Sequence, residues 1–360
     1  MNLLLQLAVD EGASDIHLRS DTPPRLRIDG QLVDALPDVV SATELEQVVR
    51  ELLPADRLAE FEATNDADFA LSAAGIGRFR VNAFRERGAV ALVMRRVRTV
   101  VPTIEEMGLP NIVGRLAGEH RGLVLVTGPT GSGKTTTLAA MIDQINATRA
   151  VNIITIEDPI EVVHFNKQAM VAQREVGSDT IDYAQAMRRV LRQDPDVILI
   201  GEMRDLETVG AALTAAETGH LVLSTLHTTN ATETVNRVVD FFPPFQQHQV
   251  RLALAANLRG VISQRLIERA DGQGRVPAVE AMVVTGRIAD RIVDPDRGRG
   301  ESIEEIIADG EWYGMQTFDQ SLAALFRDGL VTLPQAMAAA TNPHDLNLTL
   351  QKAGLTGARR

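Results

Sequence analysis

Apolar residues recur along this chain with two different rhythms. Up to about residue 98 they alternate with polar ones in short runs: Asp15-Ile16-His17-Leu18, Arg25-Leu26-Arg27-Ile28, Gln31-Leu32-Val33, then residues 77–84 and 89–94. Alternation with a period of two predicts strands with one buried and one wet face. Asp29-Gly30, between the second and third runs, reads as a two-residue hairpin turn. Residues 1–9 have the pattern of an amphipathic helix. Ser41 and Glu44 have capping-box spacing at the start of a second helical stretch, which Pro54 interrupts. A small α+β domain over residues 1–98 is the expectation.

Residues 99–111 hold Pro102, Gly108 and Pro110 and few large apolar groups, as a linker would. Over 112–360 the rhythm changes. Runs rich in apolar and β-branched residues without alternation, at 123–126, 151–156, 197–200 and 221–225, are separated by helical patterns at 134–145, 182–192 and 206–218. Continuous β-branched strands with helices between them predict a parallel sheet covered on both faces, an α/β architecture. Beyond about residue 245 helices are expected to predominate, with one extended stretch near 276–284.

Composition narrows the function classes. With 45% hydrophobic residues among 360, the chain can bury a sizeable core. Lys and Arg number 36 against 48 Asp and Glu, a net charge of −12, which argues against broad nucleic-acid binding. Aromatic residues are only 4%, too few for a base-stacking platform. There is no cysteine, so disulfides, thiolate zinc sites and thiol catalysis are excluded. No run is long enough to span a bilayer, and the N-terminus lacks the basic flank of a secretory signal. The expected location is the cytoplasm, peripheral to a membrane at most.

One motif carries specific chemistry. Gly128-Pro129-Thr130-Gly131-Ser132-Gly133-Lys134-Thr135 matches the phosphate-binding loop pattern in full, with a strand pattern before it and a helix pattern after it. Its glycines let backbone N–H groups turn inward around phosphate oxygens, and the helix N-terminus adds its positive dipole end. Lys134 is expected to reach the terminal phosphates of ATP and Thr135 to hold Mg²⁺, with Thr136 beside them. Ile200-Gly201-Glu202 ends the third apolar run, and Glu202 is expected to serve Mg²⁺ directly or through water. A glycine stands at 201, where many such enzymes have the metal-binding aspartate. The second run ends in Glu157-Asp158-Pro159-Ile160-Glu161. Glu161 reads as the base or water-orienting group, and Glu157 as a metal-side or structural acid, because carboxylates gathered at a sheet edge are costly unless they meet cations.

His220 and His227 bracket the fourth run. His227, just past its carboxyl end, is placed to sense the γ-phosphate, and capping or core packing is the plainer role for both. Arginines concentrate before the linker, among them Arg78 and Arg80, which share a face if residues 77–84 form a strand. They are either charge-stabilising groups lent across a subunit boundary or a solvated basic face.

Together, residues 13–18, the phosphate loop, residues 156–161, Gly201-Glu202-Met203-Arg204-Asp205 and residues 218–227 resemble the secretion-ATPase superfamily, which drives type II secretion and type IV pili. The spacing over nearly the whole chain, and Gly314 to Gln320, resemble its pilus-retraction subgroup. That resemblance implies a PAS-like N-terminal domain joined to a RecA-like ATPase domain in a cytoplasmic homohexamer, with an inner-membrane platform protein and a paralogous pilus motor as candidate partners. It maps the family's catalytic glutamate onto Glu161, the acidic strand-end residue onto Glu202 and the paired histidines onto His220 and His227. Arg78 and Arg80 are matched to the arginines that complete the nucleotide site. Retraction-type members usually carry an Ala-Ile-Arg-Asn-Leu-Ile-Arg-Glu motif; the stretch matched to it, residues 301–309, keeps the apolar spacing at Ile303, Ile306 and Ile307 but neither arginine. The alternatives are a diverged accessory or assembly-type ATPase and an ATP-binding regulator with little turnover.

Overall fold

The computed structural model describes residues 1–295 and 300–355. The chain divides into two compact units: Met1–Val100 with Ile160–Val163, and Val101–Pro159 with the chain from His164 onward. The first unit holds β1 (Asp15–Arg19), β2 (Arg25–Ile28), β3 (Gln31–Asp34), β4 (Asp66–Ala73), β5 (Gly77–Glu86) and β6 (Ala89–Arg96). They form an antiparallel sheet in the order β3-β2-β1-β6-β5-β4. Asp29 and Gly30 both have positive φ, 48° and 83°, as the expected tight hairpin turn requires. The Ser41–Glu44 capping box forms and opens the helix Ala42–Leu52.

Alternation sorts this sheet into two faces. Ile16, Leu18, Leu26, Phe79, Val81, Leu92 and Met94 point into a core shared with Leu5, Leu45, Val49 and Phe61 of the helices. On the other face Arg80 stands directly opposite Arg95, a pairing that costs energy unless it is compensated. Arg95 Nε donates to Asp15 Oδ1 at 2.8 Å, and Asp15 is buried. Burial works to raise the Asp15 carboxyl, but the Ser14 hydroxyl and Arg95 outweigh it and hold it below the ordinary aspartate range.

The second unit adds β7 (Gly122–Thr127), β8 (Asn152–Glu157), β9 (Met170–Glu175), β10 (Val197–Ile200), β11 (Leu221–Leu226), β12 (Leu258–Glu268) and β13 (Arg275–Val283). Their order is β13-β12-β7-β11-β10-β8-β9. All neighbours run parallel except β13, which is antiparallel to β12. Leu123 and Leu125 of β7 point into one core and Val124 and Val126 into another, so the sheet is buried on both faces as expected.

Two expectations change, and two strands are added. Residues 258–268, read as helical, form the long strand β12, with Val261 on one core and Ile262 on the other. A Cβ on Gly260 would lie 2.7 Å from both a Leu116 methyl and the Met282 carbonyl oxygen, so glycine is what lets β12 pass there. Strands β4 and β9 carry too few large apolar residues to announce themselves, and each is fixed by its partner strand. Residues 101–111, expected to be a linker, fold onto the second unit, with Leu109 buried and Ile104 and Met107 packed on the same core. Among the described residues no helix is long and apolar enough to cross a membrane.

Candidate active site

The chain leaves β7 through Gly128–Gly133 and enters the helix Lys134–Thr148. Gly128, Gly131 and Gly133 have φ of 139°, 79° and 92°, conformations that side chains disfavour. A Cβ on Gly128 would lie 2.4 Å from the Gln264 carbonyl oxygen and 2.6 Å from Ser132 Oγ. The bare backbone is therefore a packing requirement. Lys134 is buried, and its Nζ donates to the carbonyl oxygens of Gly128 and Pro129 at 2.8 and 3.1 Å.

Ser132 Oγ is also buried, with no hydrogen-bond partner. An unmet buried hydroxyl costs ~1–3 kcal/mol, a deficit that a phosphate oxygen at this helix N-terminus would remove. Pro129, Thr130, Gly131 and Thr135 are exposed and Thr136 is half-buried, leaving the loop open to ligand. These residues fit the phosphates of ATP, with Thr135 able to hold Mg²⁺ at the first turn of the helix. Bound there, Mg²⁺ supplies charge neutralisation for phosphoryl transfer.

Adjacent strands complete the edge. Thr225 lies opposite Val126 and Ser224 opposite Ile200, so the phosphate loop, His227 and Glu202 leave neighbouring strands ~4.8 Å apart at the same end. Glu202 Oε2 accepts from Arg204 at 2.8 Å, and Oε1 faces His227 Nε2 at 3.1 Å. Burial works to raise the Glu202 carboxyl, but the Arg204 guanidinium and His227 outweigh it and leave it below the usual glutamate range. Glu202 is thus an anion at neutral pH with both oxygens engaged. A metal at this edge would meet it through water, or directly if Arg204 or His227 released an oxygen. Glu157 is buried at the end of β8, where its Oε1 accepts from Thr155 Oγ1 at 2.7 Å and Gln173 Nε2 at 3.0 Å. Those bonds favour the structural of its two roles.

The two histidines are separated. His220 precedes β11, with Nδ1 2.9 Å from the Ala215 carbonyl oxygen, at the end of the helix Leu206–Glu217. The strand puts ~20 Å between it and His227 at ~3.3 Å per residue. His220 is therefore not brought to the phosphate loop of its own chain, and the capping role describes it there. Glu161 is exposed and lies in the segment 160–163 that groups with the first unit, where Val163 N donates to Arg98 O at 2.9 Å. Arg78 and Arg80 also belong to the first unit. They share one face of β5, with Phe79 and Val81 buried on the other, and Arg78 donates to Ser72 Oγ at 3.3 Å.

Tyr183 is a site residue that the sequence did not reveal. Its hydroxyl lies 2.9 Å from where a Cβ on Gly201 would be, which explains the glycine in the usual aspartate position. Burial, and then Asp158, push its phenol well above the ordinary range, so it stays protonated. Nothing in the local pattern links a tyrosine at the start of one helix to a glycine at the end of β10. Gly201→Ala is expected to lower folding stability by ~1–2 kcal/mol through overpacking. Tyr183→Phe should restore part of the loss, and equal thermal midpoints for native protein and Gly201→Ala would contradict this contact.

Comparison with known proteins gives the family. Residues 1–306 match the family model described as type II/IV secretion system protein. The type IV pilus retraction ATPase PilT of Pseudomonas aeruginosa is 44% identical over 342 residues, covering 95% of this chain and 98% of that protein. The type IV pilus ATPase PilU of the same organism is 40% identical over 348 residues, covering 97% and 90%. A crystal structure of the pilus retraction motor PilT with bound ADP superposes with a TM-score of 0.84 at 44% identity, covering 95% of this chain and 97% of that one. The Legionella pneumophila ATPase DotB follows at 0.72 and 28%, covering 94% and 95%.

Proposed function

Because the chain belongs to the type II/IV secretion system protein family, as an ATPase of that family, we propose that it is a motor of the type IV pilus and that it powers retraction. The observation carrying this reading is 44% identity to a pilus retraction ATPase along nearly the full length of both chains. In this reading six copies assemble in the cytoplasm against an inner-membrane platform protein. Lys134, Ser132 and the loop backbone bind the ATP phosphates, Thr135 and Glu202 serve Mg²⁺, and Glu161 orients or deprotonates the attacking water. Arg78 and Arg80 are lent to a neighbouring copy's nucleotide.

The helix Ile303–Ala308 buries Ile303, Ile306 and Ile307, as its spacing predicted. The helix before it, Gly286–Val293, buries Ile288 and Ile292 and carries Arg287 and Arg291. Arginine is therefore present one helix before the stretch where the retraction motif's own arginines are missing. A regulator with little turnover, suggested by the glycine at 201, is less well supported, because Tyr183 accounts for that glycine while Glu202 keeps an ionised carboxylate at the same edge.

Deleting the gene tests direction. Excess surface filaments with loss of twitching are the expected result, restored by the native chain and not by a Lys134→Ala chain. Loss of filaments would replace retraction with assembly.

A further inference from the structure

The hydrogen bonds of the second unit lead from Glu202 to a buried carboxyl that the site described so far does not use. Glu280, in β13, is 5% exposed, and its Oε1 accepts from the backbone N–H of Ala231 at 2.7 Å. Ala231 is the first residue of the helix Ala231–Asp240, which follows the loop carrying His227. That loop is fastened to the helix at each step. Thr228 Oγ1 and Thr234 Oγ1 are 2.7 Å apart. Glu233 Oε2 accepts from Thr229 N at 2.8 Å and from its Oγ1 at 2.7 Å. His227 then meets Glu202. The place where the helix begins therefore sets where His227 sits.

Glu280 is an expensive way to hold a helix end. Burial disfavours its charge most, Arg265 on β12 attracts it, and Glu304 on the helix Ile303–Ala308 and Asp319 on the helix Phe318–Arg327 repel it; the carboxyl is pushed up to about 7. Its partner across β12 is Ser263, whose Oγ is 2.8 Å from Thr127 Oγ1 at the base of the phosphate loop. Asn230 already caps the helix by accepting from Glu233 N. A second, strongly desolvated acceptor at the same end is the pattern of a functional position.

We propose that Glu280 is a positioning residue for ATP turnover, whose carboxylate holds the first N–H of the helix after the His227 loop and so sets His227 against Glu202. This rests on the reading of His227 as a contributor to turnover. Ionised, the carboxylate makes a charge-assisted bond and faces the positive end of the helix; protonated, it makes a weaker one. Turnover therefore rises with pH through about 7. Stability moves the other way. The carboxyl titrates higher in the fold, at about 7, than an ordinary glutamate at 4.5, so its contribution is present below about 4.5 and lost as pH rises through about 7. A carboxyl that only holds the fold together would not give opposite signs for the two.

The test uses the full chain carrying Glu280→Gln, which keeps an acceptor and removes the charge. At pH 8 kcat is expected to fall on the order of fivefold, as for exchanging a charge-assisted bond for a neutral one. KM for ATP should stay within twofold, the rise in rate between pH 6 and pH 8 should flatten, and the thermal midpoint at pH 8 should stay level or increase. Combined with His227→Gln, it should add no further loss. An unchanged kcat and pH profile overturns the proposal, as does a lower thermal midpoint with a proportionate loss of rate. Additive losses in the double variant overturn it alone, whereas native turnover in His227→Gln overturns it together with the reading of His227.

Discussion

Lys134→Ala is expected to abolish measurable ATP turnover, with a loss of at least ~10²–10³ in kcat, the scale of removing one charge-stabilising donor from a reacting centre. Lys134 is the cation inside the phosphate loop, and its Nζ rests on the Gly128 and Pro129 carbonyl oxygens. Those carbonyls accept weakly compared with a phosphate oxygen, so the ammonium can exchange them for ATP at little cost. In the proposed role the ammonium neutralises charge developing on the transferred phosphoryl, and the variant would lose that. Nucleotide affinity should fall as well, tenfold for each 1.4 kcal/mol of lost interaction. The variant's circular dichroism should match the native protein, because the lysine bonds here to its own loop. Steady-state ATPase assays with titration of a fluorescent ATP analogue would check both effects. Turnover within tenfold of native would remove Lys134 from the reaction.

Glu161→Gln is expected to separate binding from chemistry. ATP affinity should remain within a few-fold of native while turnover falls by ~10²–10⁴, the usual contribution of a general base. The exposed side chain can be altered without opening a core. Its segment begins just past the end of β8 and groups with the first unit, so the residue read as the water-activating group and the phosphate loop belong to different compact units. Single-turnover hydrolysis with prebound ATP reads the chemical step directly. A native rate there would sink the assignment of Glu161.

What the sequence determined by itself follows from local rules. The phosphate loop is legible because its chemistry lies in eight consecutive residues whose glycines are required by backbone geometry, between a strand and a helix with clear periodicity. The buried strands β7, β8, β10 and β11 are legible because parallel strands covered on both faces must be continuously apolar. The two rhythms of hydrophobicity also marked a change in architecture close to where the compact units divide.

The tertiary structure decided whatever depends on residues far apart in the chain. Strand β12 looked helical until β7 and β13 supplied its hydrogen bonds. Gly201 looked like a missing ligand until Tyr183 filled the space of its Cβ. His220 and His227 match one family pair and bracket a strand, but only the fold shows His220 held by the Ala215 carbonyl at the start of that strand while His227 meets Glu202 at its end. Glu280 carried no signal at all, since only the packing of β13 against the helix after His227 makes a buried carboxyl of it. Periodicity and backbone stereochemistry act within a few residues and can be read along the chain, whereas desolvation, steric exclusion and charge pairing arise only when distant segments meet.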